Sequence, residues 1–134
     1  MNDTAVRETT DRDAVLTVLK DLYVAWAAND ADAFVADYDP DATSILPGVF
    51  RSGRAEVRDG MAAGFAGPLR GSSVLDEPRQ VRFPAPDTAV VVSRAAILMA
   101  GETEAPADRW VLATWTLVRR ENRWLITAYH NCAA

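Results

Sequence analysis

His130, the only histidine in the chain, is the side chain best suited to move a proton at neutral pH. An imidazole has a reference pKa of about 6.5, so both of its protonation states are accessible there. Alternation divides the last predicted strand between two faces: Trp124, Ile126, Ala128 and His130 on one, and Leu125, Thr127, Tyr129 and Asn131 on the other. If the Trp124 face lines a cavity, His130 reaches that cavity near its rim. Otherwise His130 is a structural residue, hydrogen-bonded between sheet and helix or placed at a dimer face.

Arg94 is a charged residue in the middle of a mostly apolar strand, residues 90–98. Such a charge must be paired, exposed, or lining a polar cavity. Inside a cavity its guanidinium would orient a carboxylate or enolate oxygen. On the outer face, or across a dimer interface, it would be a surface cation. Glu77 and Asp108 lie near strand beginnings and are predicted to form surface ion pairs, although the pattern leaves open whether either carboxylate enters a pocket.

A set of large apolar side chains is suited to the wall of a binding cavity for a flat, unsaturated ligand. Its members are Trp26, Tyr38, Phe50, Met61, Phe65, Trp110 and Trp115. Stacking contacts with such rings are worth roughly 0.5–1.5 kcal/mol each. Residues of this kind also form the core of any domain. Trp110 and Trp115 differ in strand parity, so at most one of them faces a concave surface.

Charge and composition exclude several classes of function. The net charge of −5 and the absence of a basic face argue against nucleic-acid binding. No apolar run approaches the ~20 residues of a membrane span, and the first 13 residues lack an apolar signal segment, so a cytoplasmic protein is expected. No Gly-x-Ser-x-Gly elbow or glycine-rich phosphate loop occurs. With one histidine and one cysteine, Cys132, the sequence predicts neither a metal site nor a cofactor.

The elements that must position these residues can be read from hydrophobic period and turn signals. A flexible N-terminus, residues 1–10, is expected before one domain, residues 11–134. Three helices are predicted. The first, 11–28, follows a capping box at Thr10 and Asp13 and carries one apolar stripe formed by Val15, Leu19, Leu22 and Trp26. The second is short, capped by Asp30 and ended by Pro40, and the third spans 54–65. Strands are predicted at 43–46, 73–83, 89–99, 109–119 and 124–131, with Arg119, Arg120 and Arg123 in a solvated turn.

This order of elements argues for an α+β fold. The helices come early and the long strands follow as a meander, so the helices are expected to pack on one face of an antiparallel sheet. If the sheet curls, its concave face and the helices enclose a space, which is the usual location of a small-molecule site.

Three motifs resemble one known family. They are Trp-x-x-Asn-Asp-Ala-Asp-Ala-Phe from residue 26, Pro-Asp-Ala-Thr from residue 40, and Trp-Leu-Ile-x-x-x-His-Asn from residue 124. Together they resemble the SnoaL-like branch of the nuclear transport factor 2-like superfamily. More narrowly, they are similar to the SgcJ/EcaC-type family found beside enediyne polyketide biosynthesis. The resemblance implies a cone-shaped fold, with three helices packed on a curved, mostly antiparallel sheet that encloses a pocket.

A second resemblance concerns mechanism. The front end of the chain looks like that of the ketosteroid isomerases, and Tyr23 matches their oxyanion-binding tyrosine if one gap is allowed. Their general base is an aspartate just before the proline that closes the strand, but here Leu46 precedes Pro47. A leucine accepts no proton, so steroid-type enolisation by that route is not expected. The Asp-Arg-Asp set of epoxide hydrolases has no match either.

The leading hypothesis is therefore a cofactor-free pocket protein of polyketide antibiotic biosynthesis. It would bind a hydrophobic, polyunsaturated intermediate and guide its release or cyclisation, in association with a polyketide synthase or thioesterase. If it is catalytic, His130 would shuttle the proton while Tyr23, Asn131 or Arg94 polarises an oxygen. The alternatives are a non-catalytic homodimeric binding or assembly protein, and a cyclase or isomerase of the SnoaL type with a carboxylate base in its pocket.

Overall fold

The computed structural model describes residues 3–134. Within them lie three helices, six strands and a short 3₁₀ turn. The helices are α1 (Asp3–Ala27), α2 (Ala31–Phe34) and α3 (Arg54–Ala66). The strands are β1 (Tyr38–Leu46), β2 (Val49–Ser52), β3 (Ser73–Ala85), β4 (Thr88–Leu98), β5 (Val111–Arg120) and β6 (Arg123–Ala133), with the 3₁₀ turn at Ala107–Arg109.

The six strands form one curved, open sheet in the order β2-β1-β6-β5-β4-β3. Neighbouring strands are antiparallel except β1 and β6, which run parallel. The helices pack on one face of this sheet. The predicted α+β class and the cone-like arrangement of helices on a mostly antiparallel sheet are confirmed.

The core lies between α1 and the inner face of the sheet. The predicted helical stripe of Val15, Leu19 and Leu22 is buried, and it packs in one cluster with Leu117 and Ile126 of the sheet. Burying an aliphatic side chain of this size stabilises the folded state by about 1.5–3 kcal/mol. This cluster therefore fixes α1 across the sheet and sets the floor of the space above it.

The first helix begins much earlier than the sequence predicted. It starts at Asp3, so part of the segment predicted to be flexible is helical, while residues 1–2 lie outside the described part. Thr10 is not a cap: its Oγ1 donates to the carbonyl oxygen of Val6 at 3.2 Å, a bond from within the helix. Asp11 is buried because Arg119 donates to its carboxylate. The capping-box prediction was wrong because α1 begins at Asp3, which places both Thr10 and Asp13 inside the helix.

The second helix and the first strand meet differently from the prediction. Asp30 is the N-cap, as expected, and its Oδ1 accepts from the Ala33 amide at 3.0 Å. The helix ends at Phe34, however, and Pro40 lies inside β1, where the pairing with β6 is interrupted between Tyr38 and Thr43. A proline is tolerated at such a bulge because no ladder bond needs its missing N–H.

Strand β1 ends at Leu46, as predicted, and Pro47-Gly48 forms a hairpin turn. Leu46 pairs with Val49 across this two-residue loop, and Gly48 has φ of 75°, a value that favours glycine. The strand that follows, β2, was not predicted. It is short and forms the edge of the sheet.

The basic cluster lies at the β5–β6 hairpin turn, as predicted, and its three arginines also form ion pairs there. Arg120 pairs with Asp39 at 3.0 Å and Arg123 with Asp37 at 2.6 Å. Arg119 contacts two carboxylates, at 2.6 Å and 2.9 Å, and lies over the Trp124 ring. These guanidinium groups are therefore engaged by the protein's own acids. No helix within residues 3–134 has the length and apolar character of a membrane span.

Candidate functional site

A cavity of about 190 Å³ lies between the helices and the concave face of the sheet. Its walls are mainly apolar, and they come from α1, α3, the start of β1 and the inner faces of the strands. A cavity of roughly 150 Å³ admits benzene. This cavity therefore has room for a compound of about one ring, and a longer chain would extend through the mouth.

Six of the predicted site residues line this cavity: Tyr23, Trp26, Tyr38, Met61, Trp115 and Asn131. Tyr23, Trp115 and Tyr129 form a continuous aromatic wall, with ring centroids 6.3 Å apart for the first pair and 4.2 Å for the second. The Trp26 indole donates to Ser72 Oγ at 2.9 Å, which fixes its ring against Phe34 and Phe65. The aromatic wall expected from the sequence is thus present in part.

Three predicted ligand-binding aromatics are not part of the wall. Phe50 is 66% exposed on the edge strand β2. Phe65 is buried among the rings behind the cavity and touches Trp26 and Phe34. Trp110 lies under the Arg94 guanidinium, whose Cζ is 3.9 Å from the ring centroid. Of the two tryptophans with opposite parity, Trp115 faces inward.

Arg94 lies on the outer face of the sheet. The buried residues of β4 around it are Ser93 and Ala95, so alternation turns Arg94 the other way. Its Nη1 is 3.5 Å from Glu77 Oε1. The expectation that Arg94 polarises a ligand oxygen is not met, because its charge is paired outside the cavity. Glu77 is on that outer face too, and Asp108 is exposed, so neither supplies the pocket carboxylate.

His130 is exposed and does not line the cavity because β6 contains a bulge. Leu117 pairs with Ile126 and Thr116 with Ala128, which leaves Thr127 as the additional residue. Before the bulge Trp124 and Ile126 are buried on the inner face, as the alternation predicted. After it the parity reverses, so Tyr129 and Asn131 face inward while His130 faces out. The proposed proton shuttle at His130 is therefore withdrawn.

The inner face of the sheet, in and beside the cavity wall, holds buried polar atoms that have no hydrogen-bond partner. Trp115 and Asn131 line the cavity, whereas Asp76 and Ser93 lie next to it on the same face. Among the described residues, four buried side-chain atoms lack any hydrogen bond: Asp76 Oδ1, Ser93 Oγ, Trp115 Nε1 and Asn131 Oδ1. They belong to β3, β4, β5 and β6, four consecutive strands of the sheet. Ser93 and Asn131 both pair with Ala113, so the three side chains lie on the same face of neighbouring strands. Native proteins leave few such atoms unpaired, and four in one place indicate a polar ligand group.

Asp76 is the acid of this polar patch, and the sequence analysis did not single it out. Burial raises the pKa of its carboxyl group, and the neighbouring hydroxyls of Ser93 and Tyr23 offset part of that rise. A signal was available in the run Leu75-Asp76-Glu77. Two adjacent acids in a strand face opposite sides, so one of them had to point inward.

Two tyrosine hydroxyls accompany Asp76 and remain protonated at neutral pH. Burial raises the pKa of Tyr23 far above its usual range, and the nearby Asp76 charge adds to the rise. Burial likewise raises the pKa of Tyr129, while the Asn131 amide, which donates to Tyr129 Oη at 2.8 Å, lowers it in part. Neutral phenols are hydrogen-bond donors. The patch therefore combines one acid of raised pKa with donors for a ligand oxygen.

Arg51 and Arg109 line the cavity at other points, and they differ in whether a carboxylate pairs with them. Arg109 pairs with Glu102 and also donates to the carbonyl oxygen of Ile97 at 3.0 Å. Arg51 forms no ion pair with any carboxylate in the described part of the chain. Within that same part, no three His, Cys, Asp or Glu side chains converge in a way that could hold a metal ion.

Comparison with known proteins agrees with this architecture. A family model described as a SnoaL-like domain matches residues 15–134. None of the curated proteins matches the sequence. A domain of unknown function with a cystatin-like fold from Nostoc punctiforme is similar, with a TM-score of 0.86 at 23% identity over 94% of this chain and 78% of that one.

Two further solved structures are similar over most of their length. An NTF-2-like protein of unknown function from Shewanella oneidensis has a TM-score of 0.77 at 21% identity, covering 90% of this chain and 98% of that one. A type 2 hexachlorocyclohexane dehydrochlorinase has a TM-score of 0.77 at 12% identity, covering 96% of this chain and 88% of that one. At such identities the structures establish the fold alone. Because the family model covers most of the chain, this protein belongs to the SnoaL-like family.

Proposed function

We propose that this protein is a cofactor-free acid–base enzyme acting on a small, mainly apolar ligand that bears a carbonyl oxygen. The observation that carries the proposal is the polar patch, in which four buried polar atoms on the inner face of the sheet have no partner, two of them in the wall of an otherwise apolar cavity and two beside it. Leaving a buried polar group unpaired costs about 1–3 kcal/mol. Such a cost is reasonable where a bound ligand supplies the missing partner.

Asp76 is the proposed proton-transfer group. Its carboxylate would take a proton from the carbon next to the ligand carbonyl; the electron pair of that C–H bond would form a C=C bond, and the π pair of the carbonyl would move onto its oxygen to give an enolate. The Tyr23 hydroxyl would donate a hydrogen bond to this oxygen as its negative charge develops. Asp76 would then return the proton to another carbon, or to a departing hydroxyl group. The raised pKa of Asp76 supports this role, because an acid–base catalyst works best when its pKa approaches the operating pH.

The assignment of Asp76 also supplies the general base that was missing from the resemblance to the ketosteroid isomerases. Leu46 stands where the ketosteroid isomerases have their base, and Leu46 lines the cavity as an apolar residue. Asp76 lies beside this cavity on a different strand: it pairs with Ala95, which lines the cavity, and its charge acts on Tyr23, which lines it too. Reaction classes that need one acid–base group and one oxyanion donor are isomerisation, cyclisation by enolate attack, and dehydration. The dehydrochlorinase among the structural relatives supports the view that this fold accommodates enzymes for small, compact substrates.

The proposed biological setting is polyketide natural-product biosynthesis of the enediyne type. Its support is the resemblance of the three sequence motifs to the SgcJ/EcaC-type family, together with the aromatic wall of Tyr23, Trp115 and Tyr129, which suits a conjugated ligand. Given the cavity volume, the ligand would insert one ring or one end of a polyene. A cytoplasmic location and a polyketide synthase or thioesterase as partner belong to the same proposal.

A hydrogen–deuterium exchange experiment tests the chemistry without knowledge of the natural substrate. The protein is incubated in D₂O with 3-methyl-2-cyclohexenone and with a linear conjugated dienone, and deuterium uptake next to the carbonyl is followed by NMR. Accelerated uptake is expected with the wild-type protein and with His130→Ala, whose side chain lies outside the cavity. It is expected to fall at least about tenfold in Asp76→Asn. Equal uptake in Asp76→Asn and wild type would refute the assignment of Asp76.

A non-catalytic homodimeric binding protein is the second candidate. The outer face of the sheet and its β2 edge expose several large apolar side chains, among them Ile45, Phe50 and Leu112. Exposed apolar residues of this kind are typical of interfaces. This candidate predicts that a conjugated ligand quenches tryptophan fluorescence saturably but is recovered without deuterium, and that the protein sediments as a dimer.

A further inference from the structure

Arg51 places an unbalanced positive charge in the cavity wall. It lies on β2 opposite Ser44, and both residues line the cavity. Its one side-chain hydrogen bond goes from Nη1 to Met61 Sδ, at 3.6 Å. A thioether sulfur is a weak acceptor and carries no charge. The half-buried guanidinium is thus held in position while most of its donors remain unused.

Helix α3 leaves room for the Arg51 guanidinium because residue 60 is a glycine. Gly60 lies in α3, and a Cβ atom built at that position would be 2.5 Å from Arg51 Nε and 2.6 Å from Cζ. Any side chain at residue 60 would therefore displace the arginine head group. Glycine within a helix costs about 1 kcal/mol relative to alanine. Gly60 therefore makes α3 less stable than alanine would, but it leaves the space that the Arg51 head group occupies.

The contrast with Arg109 shows what is missing at Arg51. Arg109 also lines the cavity, but both of its Nη atoms donate to the carboxylate of Glu102. Removing a guanidinium from water without an anionic partner is unfavourable. Its planar fork matches a carboxylate, with two parallel N–H···O bonds. The buried Tyr38 hydroxyl lies within reach of the Arg51 charge, which lowers its otherwise raised pKa and gives a second donor beside the guanidinium.

We infer that Arg51 is a recognition site for a carboxylate group on the ligand, so that the substrate is an unsaturated or cyclic carboxylic acid held at one end by Arg51. The proposed function then assigns the other end: the reacting carbon and its carbonyl lie toward Asp76. Only this second step depends on the proposed function. Carboxylate recognition by Arg51 stands on the geometry of the cavity alone.

Matched pairs of probes that differ only in the acid group test the inference. Cinnamate, hydrocinnamate and sorbate are titrated against the protein beside the corresponding alcohols, and quenching of tryptophan fluorescence is recorded near neutral pH. At least one acid is expected to bind about tenfold or more tightly than its alcohol. If no pair shows a preference for the acid, whether both bind equally or neither binds, the inference is overturned.

Two variants and one control locate the preference. Arg51→Met is expected to abolish the preference for the acid, whereas Arg82→Met, an exposed arginine away from the cavity that loses the same charge, leaves it unchanged. Gly60→Ala keeps the charge of Arg51 but displaces its guanidinium. The preference for the acid should therefore fall, while the melting temperature stays equal or rises. A preference that survives both Arg51→Met and Gly60→Ala overturns the inference.

The same titrations separate this inference from the proposed function. Asp76→Asn is expected to keep the preference for the acid although deuterium exchange is lost. If Arg51→Met loses the preference and wild-type protein catalyses no exchange, the carboxylate site stands and the acid–base enzyme is refuted. If wild-type protein catalyses exchange but prefers no acid over its alcohol, the acid–base enzyme stands and the carboxylate site is refuted.

Discussion

Replacing Asp76 by asparagine is expected to make the folded protein more stable near neutral pH. Asparagine has nearly the shape of a protonated aspartate but never ionises. In the wild-type protein the pKa of the Asp76 carboxyl group is raised, first by burial, so ionisation is less favourable in the folded state than in the unfolded chain. The unfolded chain therefore gains from releasing this proton at neutral pH, and the variant removes that gain.

The sign of the pH dependence follows from the same linkage. Below about pH 3.5 Asp76 is protonated in both states of the wild type, and the two proteins should differ little. As pH rises above the unfolded-state pKa, the folded wild-type protein holds its proton longer, so its stability falls relative to the variant. The difference reaches its full size above the raised folded-state pKa of Asp76.

The expected size is about 1 kcal/mol in favour of the variant. A buried polar group without a partner costs about 1–3 kcal/mol, and the lower end applies because Asp76 is only half-buried and solvent screens part of its charge. For a chain of 134 residues this corresponds to a rise in melting temperature of roughly 4 °C.

Urea unfolding followed by tryptophan fluorescence, near neutral pH and again at about pH 3.5, measures this difference directly. Glu77→Gln is the matched control. Glu77 is next in sequence but lies on the outer face between Arg79 and Arg94, so its loss should be neutral or slightly destabilising. An Asp76→Asn variant that is less stable than wild type near neutral pH, or a gain of equal size at both pH values, would refute the reasoning.

Two further predictions concern residues outside the cavity. His130→Ala should leave the free energy of unfolding within about 0.5 kcal/mol of wild type and ligand binding unchanged, because the side chain is exposed on the outer face; loss of binding in a fluorescence titration would contradict this. Asp11→Asn should destabilise the protein by about 1–2 kcal/mol, and Asp87→Asn by less, because both bind Arg119 but the Asp87 side chain is 68% exposed whereas that of Asp11 is 12% exposed. Urea unfolding of the two variants decides the order, and an equal or larger effect at Asp87 would show that burial does not set the strength of this pair.

The sequence predicted the fold well where one signal acted alone. The stripe of Val15, Leu19 and Leu22 has helical spacing and is buried as expected, because nothing else competes for that face. Predictions failed where a local signal occurred inside a longer element. Thr10 and Asp13 match a capping box, yet both lie in mid-helix because α1 begins at Asp3, and the Thr10 hydroxyl donates to the carbonyl oxygen of Val6 instead.

Inward and outward residues of β6 could not be predicted from alternation, because of the Thr127 bulge. Trp124 and Ile126 are buried on the inner face, but His130, which alternation placed on the same side, is exposed. Thr127 is a β-branched residue that suits a regular strand, so its type gives no warning of an irregularity. Bulges are frequent beside functional sites, where they redirect a side chain. Here the bulge exchanges a histidine for Tyr129 and Asn131 in the cavity wall.

The charges of the cavity become informative only when its two sides are considered together. Asp76 and Arg51 have opposite signs, but they lie on β3 and β2, the two edge strands of the sheet. The hydroxyls of Tyr23, Tyr129 and Tyr38 lie between them: Asp76 acts on the pKa of the first two, and Arg51 on that of the third. If these charges served stability, an ion pair would be the simpler arrangement, as at Arg109 and Glu102. Held apart across an apolar space, they instead favour a ligand that is negative at one end and loses a proton at the other.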